Sequence, residues 1–150
     1  MLTFKQDKDK MLFSLLHPAL IMIYTDLYLY AKEKYHVDLV VTATISTPEI
    51  DKALGRKSKA HQEARALDIR TRYPNLSVYD IQDLVNYINT RWKYKKYHYL
   101  SKSGVKRLAY YHVGNAEHIH LSIGAQYANP LVQKQIGRII SKNIKLSKED

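Results

Sequence analysis

This sequence contains no cysteine. That excludes disulfides and thiolate metal sites, so any metal must be held by imidazole and carboxylate, a donor set suited to zinc or a similar ion. Glycine and proline are scarce, at five and four residues. With 45% apolar and 25% charged residues, that composition excludes a collagen-like or wholly disordered chain. Acidic residues are also few, 14 against 24 Lys and Arg, for a net charge of +10. The surplus attracts polyanions: nucleic acid, anionic cell-wall polymers or membrane surfaces. No small-residue cleavage site follows the apolar stretch from Met11 to about Tyr30, although Lys5, Lys8 and Lys10 precede it like the start of a leader. A spanning helix needs about 20 mainly apolar residues, and Asp26 would be costly inside one. The expectation is a buried helix, no stable membrane insertion, and a cytoplasmic protein without a signal peptide.

What is present suits one domain over residues 1–150. His17-Pro18 opens a helix to about Lys34, with Leu20, Ile23, Leu27 and Ala31 at helical spacing. Asp38 to Ile45, rich in Val and Thr, reads as a strand. Thr47-Pro48-Glu49 starts a short helix that Gly55 ends. Ala64 to Arg70 reads as a second strand. Ser77 caps a helix carrying Ile81, Leu84, Val85 and Ile88 on one face and ending near Trp92. Ser101 to Gly104 reads as a turn. Val105 to Val113 and His118 to Ile123 read as strands joined by a hairpin-like Gly114-Asn115-Ala116. Asn129-Pro130 opens a last helix to about residue 140–142, followed by a charged tail from Lys142. The expected fold is α+β, a small, mainly antiparallel sheet with flanking helices, with its core between about residues 15 and 123.

The chemistry concentrates in two patches. One runs from Ser58 through His61 to Asp68. The other is Glu117-His118-Ile119-His120. On a strand, His118 and His120 share a face, as do Asp68 and Arg70. If the two strands pair, Asp68 and His120 converge, and His61 can fold over from its loop. Two imidazoles and a carboxylate with a position open to water make the donor set of a catalytic zinc site. Spacing alone accommodates a scatter of surface histidines equally well.

Ser58-x-x-His61 with Ala66-x-Asp68 resembles the first signature of the zinc D-Ala-D-Ala carboxypeptidase and L-alanyl-D-glutamate peptidase family, related in fold to hedgehog signalling domains. The Ser-to-His gap is three here. Glu117-His118-Ile119-His120 resembles its second motif, and Leu16-His17-Pro18-Ala19-Leu20 with Val41-Thr42 resembles the opening of compact phage endolysins of this group. The resemblance spans about Leu15 to Ile123. It implies a hedgehog/DD-peptidase fold and zinc held by His61, Asp68 and His120. Glu117 would be the base and His118 the transition-state stabiliser, or the two roles would be reversed, with Ser58 in a supporting hydrogen bond. It also implies hydrolysis of peptidoglycan stem peptides at L-Ala-D-Glu or D-Ala-D-Ala, by an endolysin that acts at the cell wall after release. Two positions depart from the pattern. Ala64 stands where relatives usually have Gly, and Ser46 where they usually carry a substrate-contacting Arg. Arg56, Arg65 or Arg70 could supply the missing cation, Arg70 best on strand geometry.

A rival reading comes from Arg91 to Tyr99, where Trp92, Tyr94, Tyr97 and Tyr99 alternate with cations. Such a run can stack bases or grip a phosphate backbone. It equally fits a helix end with solvated lysines, or a rim that holds an anionic wall polymer. A nucleic-acid-binding protein, a metal nuclease and a catalytically silent structural relative are the alternatives.

Overall fold

A computed structural model describes residues 1–93, 96–100, 106–114 and 116–146, with side chains for all of these except 99, 100, 106 and 140–146. Thr3–Phe4 forms β1, followed by α1 (Asp7–Phe13) and α2 (Pro18–Tyr35). The apolar N-terminal stretch is therefore two helices, broken where Pro18 forces a new start. His17 caps α2: its Nδ1 accepts from the Ala19 N–H at 3.1 Å, and Pro18 loses nothing at the first helical position. His36 ends α2 in the left-handed region at φ 54°. Leu20, Ile23, Tyr24, Leu27 and Ala31 are fully buried along one stripe. No described helix is long and apolar enough to cross a membrane.

Then come β2 (Val40–Ala43), α3 (Pro48–Ala53), β3 (Ala66–Arg70) and α4 (Val78–Arg91). Thr47 caps α3 through the Ile50 N–H. Ser77 and Asp80 form a reciprocal capping box on α4. The chain continues through β4 (Tyr99–Leu100), β5 (Lys106–Arg107), β6 (Ala109–His112) and β7 (His118–Ser122) to α5 (Val132–Leu146). The strand expected from 105 to 113 is thus interrupted at Leu108. The last helix starts later and reaches further than its sequence signals suggest, so most of the expected charged tail is helical. The Ser101–Gly104 turn, Asn115 of the connection, Tyr94 and Lys95 of the basic run, and residues 147–150 lie outside the described residues.

The fold is α+β. Its five-stranded sheet has the order β1-β2-β3-β7-β6. The sheet is mixed, which corrects the antiparallel expectation: β1 runs parallel to β2, and the other pairings are antiparallel. A two-residue strand is too short to carry an alternating pattern, so β1 left no signal. On one face Leu67, Ile69, Ile119 and Leu121 are fully buried in a cluster with α2 and α4. Val132 and Ile136 of α5 join that cluster, extending the core past residue 123.

α2 and α4 are also tied by polar contacts. Asp83 accepts from Tyr30, Lys34 and Tyr35 at 2.8, 2.9 and 2.7 Å. Asp26, the residue that disfavours a membrane span, accepts from Tyr87 at 2.9 Å and Trp92 Nε1 at 2.8 Å.

Candidate metal centre

The opposite face of the sheet carries two rows of side chains. In one, Asp68 of β3 pairs with His120 of β7, which pairs with Tyr110 of β6. In the next, Arg70 pairs with His118, which pairs with His112. This follows from strand alternation: the residues between them point into the core.

His61 reaches the first row from a turn that precedes β3. That turn passes through Ala64 in the left-handed region at φ 58°. An L side chain there is strained by about 1–2 kcal/mol, which glycine avoids. Ala64 is fully buried, and its carbonyl accepts from the His17 N–H at 2.9 Å. Ser58, exposed, accepts from the Ala60 N–H at 3.2 Å and so braces the start of the same turn.

The side chains meet at one atom. Asp68 Oδ1 lies 2.9 Å from His120 Nδ1, 3.3 Å from His61 Nε2 and 3.6 Å from His118 Nε2. Candidate ligand atoms of His61, Asp68 and His120 all fall within 4.8 Å of one another. Donors at about 2.0–2.1 Å from a tetrahedral zinc stand roughly 3.3 Å apart, so the spacing fits.

Protonation sharpens that fit. His61 Nδ1 faces the Thr44 carbonyl, and His118 Nδ1 faces the Ala116 carbonyl at 2.7 Å. A carbonyl only accepts, so each Nδ1 carries a hydrogen, and each ring turns its Nε2 towards the Asp68 carboxylate. A ring nitrogen and a carboxylate oxygen that face each other need a proton or a cation between them. Burial holds His120 below its usual pKa, against the pull of Asp68. Burial raises the pKa of Asp68, but hydrogen bonds from His120 and His61 outweigh that and keep it ionised. A cation satisfies all of these groups together.

Surrounding residues fix the ligands. Arg56 donates to Asp68 Oδ2 at 3.0 Å and to buried Asp51 at 3.3 Å. Asp51 in turn accepts from Gln62, the neighbour of His61, at 2.8 Å. Buried Asp9 accepts from the N–H and hydroxyl of Thr44, whose carbonyl orients His61. Gln133 of α5 donates to the carbonyls of Ser46 and Gln62 at 2.9 and 2.8 Å. Such supports orient ligands and set their basicity. The motifs reveal none of Asp9, Thr44, Asp51, Gln62 or Gln133; the only local signal is that Gln62 follows His61.

A cleft of about 530 Å³ opens beside Asp68 and His118 and is lined by Lys5, Arg56, Arg70, Arg72 and Glu117. Glu117 precedes β7, and its Oε2 accepts from Tyr111 at 3.0 Å. It stands at the rim, while His118 is the one in contact with Asp68. Of the cations weighed for the place of buried Ser46, Arg65 turns away, bonding the Ile123 carbonyl at 3.1 Å. Arg56 is engaged by Asp51 and Asp68. Arg70 is exposed in the cleft. Ser58 is not among the residues lining it.

The described aromatic residues of the basic run, Trp92 and Tyr97, are used for packing. Trp92 bonds Asp26, and Tyr97 sits between Trp92 and Tyr127 at ring distances of 6.2 and 5.4 Å. His112 packs on His118 at 4.9 Å, next to the centre.

No family model, no curated protein and no solved structure matches the chain, so its chemistry has to be read from these residues.

Proposed function

We propose that this protein is a zinc-dependent peptidase that hydrolyses an amide bond in peptidoglycan stem peptides, built on a hedgehog/DD-peptidase-type fold. The observation that carries the reading is the convergence of three imidazole nitrogens on Asp68 Oδ1. His61, Asp68 and His120 would hold the metal. Bound zinc supplies a Lewis acid that polarises the amide carbonyl and lowers the pKa of water. Arg56 occupies Asp68 Oδ2, which leaves one carboxylate oxygen for the ion and keeps a position open to substrate.

Glu117 acts as the base. Tyr111 holds one of its oxygens, and the other has no protein partner among the described residues. It takes a proton from water at the rim and returns it to the leaving amine. His118, protonated at Nε2, donates to the developing oxyanion. Arg70 and Arg72 meet a carboxylate of the stem peptide. The net charge of +10 holds the protein to anionic wall polymers, as an endolysin reaching the wall after release requires.

A metal nuclease is the second reading, favoured by the cations Lys5, Arg70 and Arg72 around the cleft. Digestion of purified sacculi by the zinc-loaded protein separates the two. New amines without new reducing ends are expected, and plasmid DNA stays intact. Nicked DNA with untouched sacculi selects the nuclease. If zinc-reconstituted protein holds no metal, both readings fall.

A further inference from the structure

Arg56 touches the centre without being one of its candidate ligands. It follows α3, and its guanidinium reaches two carboxylates at once. Nη2 donates to Asp68 Oδ2 at 3.0 Å, and Nη1 donates to Asp51 Oδ1 at 3.3 Å. Both carboxylates are buried. The backbone fixes the same corner, because the Arg56 N–H donates to the Asp51 carbonyl at 2.9 Å. The second oxygen of Asp51 accepts from Gln62, next to His61.

The two oxygens of Asp68 therefore have separate uses. Oδ1 faces the three imidazoles, and Oδ2 faces the guanidinium. A planar fork of donors holds a carboxylate in one orientation, which a flexible ammonium does not. That bears on the choice of ion. Zinc is satisfied by four ligands, imidazole nitrogens among them. Manganese and calcium take more ligands, mostly oxygen, and a carboxylate with both oxygens free can supply two of them. Charge acts in the same direction. The guanidinium draws on the charge of Asp68, the donor that an oxygen-seeking ion depends on most, whereas zinc also gains from the two imidazoles.

We infer that Arg56 sets the metal preference of the centre: it denies the ion the second oxygen of Asp68, keeps the coordination number low and so favours zinc over oxygen-seeking ions. This rests on the metal-centre reading. Arg56 is a positioning residue in this role, since it acts through Asp68.

The test uses the full chain, stripped of metal with a chelator. Zinc and manganese affinities are measured by competition against a chelating dye, and the visible spectrum of added cobalt reports the coordination number. Wild type should prefer zinc and give the intense bands of four-coordinate cobalt. Arg56→Met should lower the zinc-to-manganese affinity ratio about tenfold. Its cobalt bands should weaken about twofold as the coordination number rises. Arg56→Lys keeps the charge and loses the fork, and should shift both readings the same way. Arg56→Met leaves buried Asp51 without its cation, so the double variant Asp51→Asn/Arg56→Met is measured beside it, with an amide oxygen still able to accept from Gln62. Asp51→Asn alone keeps Arg56 beside Asp68 and should read as wild type. A shift in Asp51→Asn as large as that in Arg56→Met would place the effect at Asp51 and overturn the role of Arg56. An unchanged affinity ratio and cobalt spectrum in the Arg56 variants would overturn it too, and leave the metal centre standing. Wild type that binds neither zinc, manganese nor cobalt would remove the centre, and the inference with it.

Discussion

The two faces of the sheet are built by the same strands with opposite results. On the helix side Leu67, Ile69, Ile119 and Leu121 are fully buried, and each contributes about 1.5–3 kcal/mol by leaving water. One residue along each strand, Asp68, Arg70, His118 and His120 gather groups that the protein alone leaves poorly matched. Imidazole nitrogens face a carboxylate, and Lys5, Arg70 and Arg72 line a cleft with no ion-pair partner among the described residues. The first face is complete in itself. The second carries the His61, Asp68 and His120 group that could hold a metal ion, and its side chains keep their places because the strands are anchored from behind.

The largest effect that separates the faces is on metal. Wild-type protein should hold about one zinc per chain, and His61→Ala or His120→Ala should hold almost none, by elemental analysis after reconstitution. A chelator should lower the melting temperature of wild type and leave His120→Ala unchanged, because only a ligand bound to the folded state adds stability. Equal metal content in wild type and variants would abolish the distinction. On the other face, Ile119→Ala should cost about 3 kcal/mol in urea unfolding while its folded fraction still binds zinc.

Gln133→Ala probes a link to the metal side from a distance. It frees the Ser46 and Gln62 carbonyls. Zinc affinity should fall by about tenfold in chelator competition, as for other ligand-supporting residues. Unchanged affinity would make the anchor purely structural. A smaller effect is expected at the His61 turn, where Ala64→Gly should stabilise by about 0.5–1 kcal/mol by relieving the positive φ.

The smallest effect belongs to the helix side and is electrostatic. Burial raises the pKa of Asp83, but hydrogen bonds from Tyr35, Lys34 and Tyr30 outweigh it and the net shift is downward. A carboxylate with a lowered folded pKa stabilises fully above its unfolded value of about 4, and that contribution is lost as pH falls through the lower folded value. Asp83→Asn should therefore flatten the decline in melting temperature below about pH 4 and leave the metal content unchanged.

Much of the frame is legible in the chain because its causes are local. His17-Pro18 and Ser77-x-x-Asp80 are caps whose partners lie within three residues. Asp68 and His120 are placed on one face by strand alternation, and their pairing follows once the two strands are neighbours. Ser46 reads from the sequence only as a missing Arg, and its structural use, as a carbonyl held by Gln133, lies 87 residues away. Glu117 is similar. Its motif marks it, yet its hydrogen bond to Tyr111 and its place at the rim of the cleft belong to the way β6 and β7 end.

By itself the sequence determined the donor set and the element types, since the absence of cysteine and the periodicity of apolar residues act over a few positions. It also determined which residues share a face of a strand. Tertiary structure alone decided that β1 makes the sheet mixed and that three histidines meet one oxygen of Asp68. It also decided that Asp9, Asp51 and Gln133 support them. Those contacts join segments far apart in the chain, and no local pattern encodes which polar group will be left facing which once the apolar side has packed.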